Sequence, residues 1–350
     1  MKKIVFTGGG TGGHVTPNIS IIEKLKDEYE IHYIGSISGI EKDIISKYKY
    51  ITYHPITTVK LERKLTLKNL LIPFKLSKGI RESKKILKDI KPTVIFSKGG
   101  FVSVPVAFAG SRLHIPIIAH ESDYTMGLAN RLVYNKCDTM CFSFYDTYLE
   151  YKSKGIFTGT PIRESLYLGD INRAKNNIGI NNSLPYILVF GGSTGARAIN
   201  QAIFDNINDI KNKYNVIHIV GKNNINKSIN IQNYFQIEYA NNIEDYFKLA
   251  DIVICRAGSN SIFELCSLNK PMLLIPLPKA SSRGDQILNA KYLKNKNLCK
   301  VLYQENLNKD SLIENINDLY KNRSYYINNL KKEKNFNGTD KIVSILKKYS

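Results

Sequence analysis

Residues 2–19 read KKIVFTGGGTGGHVTPNI. Ile4, Val5 and Phe6 make a short buried strand, the chain from Ile19 onward has a helical pattern, and between them lies a glycine loop ending in His14. Gly8, Gly10 and Gly13 match the G-x-G-x-x-G spacing, which lets backbone approach a ligand closely at a helix N-terminus. A dinucleotide is disfavoured, because the second strand, Ile31–Ile34, runs into Gly35 and Ser36 where a bound NAD ribose wants an acid. The loop also lacks the Lys-Ser/Thr ending of a P-loop. What remains is a glycine cradle carrying a histidine, or a tight turn with an incidental one.

Working outward, short apolar runs alternate with helical patterns. Strands are expected at Ile51–Pro55, Thr93–Phe96, Ile115–Ala119 and Thr139–Phe142, with a helix near Glu41–Tyr48. Such alternation specifies a parallel sheet with helices on both faces, an α/β fold. Three strands lead into unusual loops: Gly8–His14, then Ser97-Lys98-Gly99-Gly100, then His120-Glu121-Ser122-Asp123. Ligands of open parallel sheets bind beyond the carboxyl ends of the strands, so these loops should gather on one edge.

After the turn Phe157-Thr158-Gly159-Thr160-Pro161 comes a polar, Asn-rich passage reaching Ser183, where the domain boundary is expected. The pattern then restarts with strand Tyr186–Phe190, glycine loop Gly191–Ala196 and a helix from Arg197. Strands follow at Val216–Val220, Phe235–Tyr239, Ile252–Cys255 and Met272–Leu277. Strand, glycine loop and helix thus open each half, which suggests two Rossmann-like domains. The last forty or so residues read as helical, and Lys341–Tyr349 is expected to pack back on the first domain.

The 350 residues suffice for two cores. Fifty Lys+Arg against thirty Asp+Glu give a formal charge of +20, which favours polyanionic partners: nucleic acid, anionic lipid or phosphorylated substrate. Five cysteines without a second close pair beside Cys137 and Cys141 read as reduced, suiting the cytosol. No stretch reaches the roughly eighteen apolar residues of a membrane span. The chain is therefore expected to be soluble or attached to a membrane surface. Lys60–Lys85 interleaves leucines with many cations. It reads either as an amphipathic element with a solvated basic face or as a patch lying on anionic lipid, and alone it favours the former.

The second-half loops are rich in polar groups. Gly191–Ala196 would offer backbone N–H groups and a helix N-terminus to a diphosphate. Glu264, early in a helix after Arg256–Ser261, serves either as a partner of the helix dipole or as an acceptor for ribose hydroxyls. Asp285 and Gln286, in the loop after the next strand, could bind sugar hydroxyls or simply start a helix. No D-x-D occurs, and no His/Cys/Asp cluster has metal spacing. A diphosphate leaving group would then rely on the helix N-terminus and basic residues such as Arg163, with no metal and no cofactor.

Seven motifs occur in one order: GGGTGGHVTPN (8–18), SKGGFVSVP (97–105), HESD (120–123) with GLAN (127–130), TGTPIRE (158–164), GGSTGAR (191–197), RAGSNSIFE (256–264) and SRGDQILNA (282–290). Together they closely resemble the MurG-type glycosyltransferases of bacterial cell-wall synthesis, over nearly the whole chain. That resemblance implies a GT-B fold, two Rossmann-like domains with parallel sheets facing across a cleft. They would be an acceptor domain at 1–162, with a C-terminal helix at 338–350 packing back, and a UDP-GlcNAc domain at 163–337. It implies a metal-independent, inverting transfer of N-acetylglucosamine from UDP-GlcNAc to the lipid-linked muramyl-pentapeptide lipid I, giving lipid II.

Carried over by position, His14 is the implied base, with Glu121 as the alternative base or the group orienting the imidazole. Thr11, Gly12, Gly13 and Asp123 would touch the donor. Arg163 and Ser193 would meet the diphosphate, and Ile243 would cap the uracil. Ser259, Asn260, Ser261 and Glu264 would bind the nucleotide, with Glu264 on the ribose, and Gln286 would reach the sugar.

The chain departs from the family pattern at Asp123, where many members have Asn, at Thr160 for the Asn of a G-N-P turn, and at Asp285 for one Gln of a Q-Q pair. The lipid acceptor turns Lys64, Leu65, Lys68, Leu71, Phe74 and Lys75 into an expected patch on the anionic inner leaflet. It places the protein peripherally on the cytoplasmic face, beside other cell-wall enzymes. Nucleic-acid binding recedes, since lipid and diphosphate account for the basic charge. The alternatives are another GT-B enzyme, such as a UDP-GlcNAc 2-epimerase or a different glycosyltransferase, or a protein that only binds UDP-GlcNAc.

Overall fold

The computed structural model describes residues 1–59, 72–179, 182–192 and 195–350. They fall into two units, Met1–Arg163 with Asn337–Ser350, and Glu164–Phe336.

The first unit is built on seven parallel strands: β1 (Lys2–Thr7), β2 (Tyr29–Ser36), β3 (Ile51–Ile56), β4 (Val94–Ser97), β5 (Ile117–Glu121), β6 (Thr139–Phe142) and β7 (Gly155–Phe157). Their order is β3-β2-β1-β4-β5-β6-β7. Every residue of β4, β5 and β6 is buried. The reason is that alternate side chains feed two separate apolar layers. Ile4 and Phe6 point into the layer containing Ile19, Ile22 and Leu25 of helix α1 (Gly12–Leu25), whereas Val5 joins the layer of Ile80, Leu87 and Val106 on the opposite face. The first layer is completed by Ile342, Ile345 and Leu346 of the C-terminal helix Thr339–Lys348.

Helix α1 starts at Gly12, earlier than the Ile19 expected from sequence, and runs through Pro17. Val15, Ile19, Ile22 and Leu25 are buried along one face, and that packing outweighs the backbone bond Pro17 cannot make. His14 therefore belongs to the helix's first turn, and the glycine loop is shorter than expected.

Helices α2 (Ile40–Ile45), α3 (Ile72–Ile90), α4 (Ser103–Arg112), α5 (Leu128–Tyr134) and α6 (Tyr145–Glu150) complete the unit. Along α3, Gly79, Ile80, Ser83, Leu87 and Ile90 face inward. Lys75, Lys78, Arg81, Lys85 and Lys88 lie on the exposed side, as does Phe74 near the helix start, at 74% exposure.

The second unit opens with residues expected to be a polar connection. They form a 3₁₀ turn at Glu164–Leu168 and helix α7 (Ile171–Ile178). The local signals are an N-cap, Asp170, accepting from the Asn172 and Arg173 amides, and Gly179 in the left-handed conformation at the end. Arg173 then grips the buried Asp245 through two hydrogen bonds, fixing α7 to helix α9 (Ile243–Leu249).

Six parallel strands follow: β8 (Tyr186–Phe190), β9 (Asn215–Ile219), β10 (Tyr234–Ile237), β11 (Ile252–Cys255), β12 (Met272–Leu274) and β13 (Lys300–Val301), ordered β10-β9-β8-β11-β12-β13. The last is only two residues long and carries no periodicity from which to read it. Helices α8 (Arg197–Ile210), α10 (Ser259–Ser267), α11 (Asp285–Asn295), α12 (Lys309–Lys321) and α13 (Arg323–Lys332) surround this sheet. Among the described residues no helix is long and apolar enough to cross a membrane.

Candidate functional site

In the first unit, β1, β4 and β5 are adjacent, so their three loops meet at one sheet edge as expected. The Lys98 amide donates to the Thr7 carbonyl at 2.9 Å. Gly100 takes φ +80° directly against the Gly9 carbonyl, where a side chain has no room.

The glycine loop is held from beneath by Glu41, which is fully buried. Its carboxylate accepts from the Gly10 amide at 3.1 Å, from the Ser36 amide at 3.0 Å and from the Ser36 hydroxyl. A Cβ on Gly9 would come within 2.6 Å of that carboxyl carbon. Tyr33 adds a hydrogen bond to the Gly8 carbonyl at 2.6 Å. The loop is thus tied to β2 and α2 through Tyr33 and Glu41.

His14, half-buried in the first turn of α1, has its Nδ1 2.9 Å from the Thr11 hydroxyl. When that hydroxyl accepts from Nδ1–H, the lone pair lies on Nε2, the arrangement a general base requires. Thr11, expected to touch the donor, is also the N-cap residue of α1 and the partner of the imidazole. Gly12 and Gly13 follow in the first turn.

Glu121 ends β5 and is buried. One oxygen accepts from the Asp123 amide at 2.9 Å; the other accepts from the Gly127 amide and from Asn130 Nδ2, each at 2.9 Å. Burial pushes its pKa up, the nearby Asp123 charge adds to this, and the three hydrogen bonds oppose it. Its bonds go to its own loop and to α5.

Beside Glu121, Lys98 is 2% exposed and donates to the Ser122 hydroxyl. Burial draws its pKa down to about 8 against the pull of Glu121 and Asp123. Buried His120, whose Nε2 lies 3.0 Å from the Gly159 carbonyl, is held well below the usual imidazole range by burial and then by Lys98. Arg163 is the last residue of this unit, half-buried, and its charge reaches Tyr48.

In the second unit a cavity of about 760 Å³ opens at the strand ends. Its wall takes in Gly191, Gly195 and Ala196, the first turn of α8 with Arg197, and Arg256, Leu277, Gln286 and Gln304. Arg256 is pinned by the Ile275 and Pro276 carbonyls at 3.0 and 3.2 Å and by Gln304 Oε1 at 2.7 Å. Gln286 Oε1 accepts from the Leu277 amide at 3.0 Å.

Gln286 is the expected site residue within this wall. Ile243, at the start of α9, and Ser259, Asn260, Ser261 and Glu264, in the first two turns of α10, lie outside it. Asp285 pairs with Arg283 at 2.7 Å across the start of α11. Ser193 lies outside the described residues, as do Lys64, Leu65, Lys68 and Leu71. Phe74 and Lys75 are described and exposed.

Sequence reading missed Glu41, Lys98, Arg197, Arg256 and Gln304 as site residues. Glu41 and Lys98 carried a signal, an acid and a base set beside glycine-rich loops. Gln304 carried none.

Two family models match the chain: the glycosyltransferase family 28 N-terminal domain over residues 4–142 and its C-terminal domain over residues 186–345. The chain is 49% identical over 353 residues to the Clostridium tetani UDP-N-acetylglucosamine–N-acetylmuramyl-(pentapeptide) pyrophosphoryl-undecaprenol N-acetylglucosamine transferase, covering 99% of this chain and 98% of that protein. It is a MurG-type member of glycosyltransferase family 28. The identically named Clostridium botulinum protein (strain Hall) is 48% identical, with full coverage of both chains. The crystal structure of Acinetobacter baumannii MurG superposes with a TM-score of 0.78 at 22% identity, covering 99% of this chain and all of that one. The fold is therefore GT-B, with a family 28 domain in each unit.

Proposed function

We propose that this protein transfers N-acetylglucosamine from UDP-GlcNAc to undecaprenyl-pyrophosphoryl-MurNAc-pentapeptide, lipid I, forming the β-1,4 link of lipid II in peptidoglycan synthesis. The observation that carries this reading is the 49% identity, over 99% of the chain, to a transferase named for that donor and acceptor.

The reaction is a single displacement. The acceptor hydroxyl attacks the anomeric carbon from the face opposite the diphosphate. The bond to the diphosphate breaks with its electron pair leaving on UDP, so the α-linked donor gives a β-linked product. The hydroxyl proton passes to His14 Nε2. Thr11 holds the other ring nitrogen, which leaves Nε2 as the base. Glu121, which accepts from three N–H donors of its own loop and α5, serves to fix the acceptor loop.

The second unit holds the donor. Ile243 caps the uracil, Ser259, Asn260 and Ser261 bind the nucleotide, and Glu264 takes the ribose. Ser193 and Arg163 meet the diphosphate, and Thr11, Gly12, Gly13 and Asp123 touch the donor. Gln286, its Oε1 already occupied by the Leu277 amide, turns an NH₂ donor to the sugar. The chain carries its negative-charge stabilisation in arginines and a helix N-terminus, so no cofactor or divalent ion is called on.

Phe74 and the cationic face of α3 rest on the anionic inner leaflet, placing the enzyme peripherally on the cytoplasmic side, close to the lipid acceptor. Reversing Lys75, Lys78 and Arg81 should lower binding to anionic vesicles and spare turnover of a short-chain soluble acceptor. Unchanged vesicle binding would return α3 to a solvated face. The test of the function itself is UDP release. It should rise sharply when a lipid I analogue joins UDP-GlcNAc, and release that ignores the acceptor would sink the reading.

A further inference from the structure

The cavity wall of the second unit contains an amide whose orientation is forced. Arginine donates hydrogen bonds and accepts none, so the oxygen of Gln304, not its nitrogen, must face Arg256 Nη2 at 2.7 Å. The NH₂ group then lies on the other side of the amide, and no protein group among the described residues accepts from it. Gln304 stands at the cavity wall, in a 3₁₀ turn following β13. Arg197, at the start of α8 in the same wall, likewise has no hydrogen bond or ion pair among the described residues. Arg256 is held by two carbonyls and the glutamine, which fixes its charge in place. The wall thus presents donors and positive charge from three different elements, converging where the glycine loop ends in the N-terminus of a fourteen-residue helix. Such a wall is complementary to an oxyanion with several acceptor oxygens.

We infer that Gln304 is a further donor-binding residue, its amide NH₂ hydrogen-bonding a diphosphate oxygen of the nucleotide sugar while its carbonyl oxygen locks Arg256 against the same group. This rests on the reading that the second unit takes a UDP-sugar. Gln304 does two things at once, and one substitution separates them. Gln304→Glu keeps, and strengthens, the acceptor that Arg256 needs, but replaces the amide donor with a negative charge facing the ligand. Gln304→Leu removes both.

The test is calorimetric titration of UDP and of UDP-GlcNAc into the wild-type full chain and both variants, with thermal melts establishing that the variants fold. Loss of a hydrogen bond to a charged group corresponds to roughly ten- to a hundredfold in affinity. Gln304→Leu should weaken UDP and UDP-GlcNAc by about that factor, equally for both ligands, and Gln304→Glu by at least as much, since it adds repulsion. Wild-type affinity in Gln304→Glu with a loss in Gln304→Leu would overturn the inference, leaving Gln304 as a support for Arg256 alone. A loss confined to UDP-GlcNAc would move the contact to the sugar and overturn it too. Wild-type protein that binds neither ligand would instead overturn the nucleotide-sugar reading beneath it.

Discussion

Glu41 is the residue on which the first glycine loop rests, and its removal has a calculable consequence. In Glu41→Ala the Ser36 and Gly10 amides lose their acceptor, and the Ser36 hydroxyl must find another. Each backbone N–H left without a partner in a buried site costs about 1–3 kcal/mol, so two cost roughly 2–6 kcal/mol. Removing a buried carboxylate recovers part of its desolvation cost, which brings the expected net destabilisation to about 2–4 kcal/mol. The effect should concentrate on the loop, because Gly9 is packed directly over the carboxylate and the Gly10 amide donates to it.

Amide hydrogen exchange over residues 8–12 should therefore accelerate by at least about thirtyfold, corresponding to 2 kcal/mol. Turnover should fall by on the order of a hundredfold, since His14 follows the loop and misplacement of about 1 Å costs that much. Glu41→Gln keeps one acceptor oxygen and should lie between the two. Exchange and turnover both within twofold of wild type in Glu41→Ala would refute the claim that this carboxylate organises the loop.

Thr11→Val should lower kcat by about three- to tenfold, the worth of one hydrogen bond of ordinary strength, and Thr11→Ser should restore it. A rise in the Michaelis constant for UDP-GlcNAc with kcat unchanged would leave Thr11 a donor contact with no part in holding the imidazole. Glu264→Ala should raise the Michaelis constant for UDP-GlcNAc, because ribose contacts persist from ground to transition state. A rise only for the acceptor would displace the nucleotide from the second unit.

Buried His218, between Tyr234 Oη at 2.8 Å and Asn200 Oδ1 at 3.1 Å, is held down to about 3 by burial. The unfolded chain binds that proton near pH 6.5 and the folded unit does not, so this contribution is whole above pH 6.5 and lost as pH falls toward 3. It is on the order of 5 kcal/mol. Acid titration of stability by circular dichroism should be flatter in His218→Gln, and an unchanged slope would count against it.

The parallel-sheet architecture was legible because buried strands such as Ile4–Phe6, Thr139–Phe142 and Ile252–Cys255 are unbroken apolar runs that lead into glycine loops. Loop convergence was legible too, since strand order in a doubly wound sheet puts such loops on one edge. The start of α1 was hidden because glycines and Pro17 argue locally against helix, and only packing on the sheet overrides them. Helix α7 was hidden by its asparagines, although Asp170 and Gly179 mark its ends. At the site, His14 stood out by its position beside glycines. The support beneath it, Glu41, and the cation beside Glu121, Lys98, come from other loops and acquire meaning only when the topology brings them together. Gln304 gains its role from an arginine far away in sequence.

The most direct measurement is the anomeric configuration and mass of the product formed from UDP-GlcNAc and a lipid I analogue, followed by proton NMR and mass spectrometry for wild type and His14→Ala. The expected product is the acceptor carrying one added N-acetylglucosamine in β linkage, with kcat reduced by about a hundred- to ten-thousandfold in His14→Ala while UDP-GlcNAc still binds. An α-linked product, or conversion of UDP-GlcNAc to its 2-epimer without transfer, would contradict the account. So would full turnover by His14→Ala.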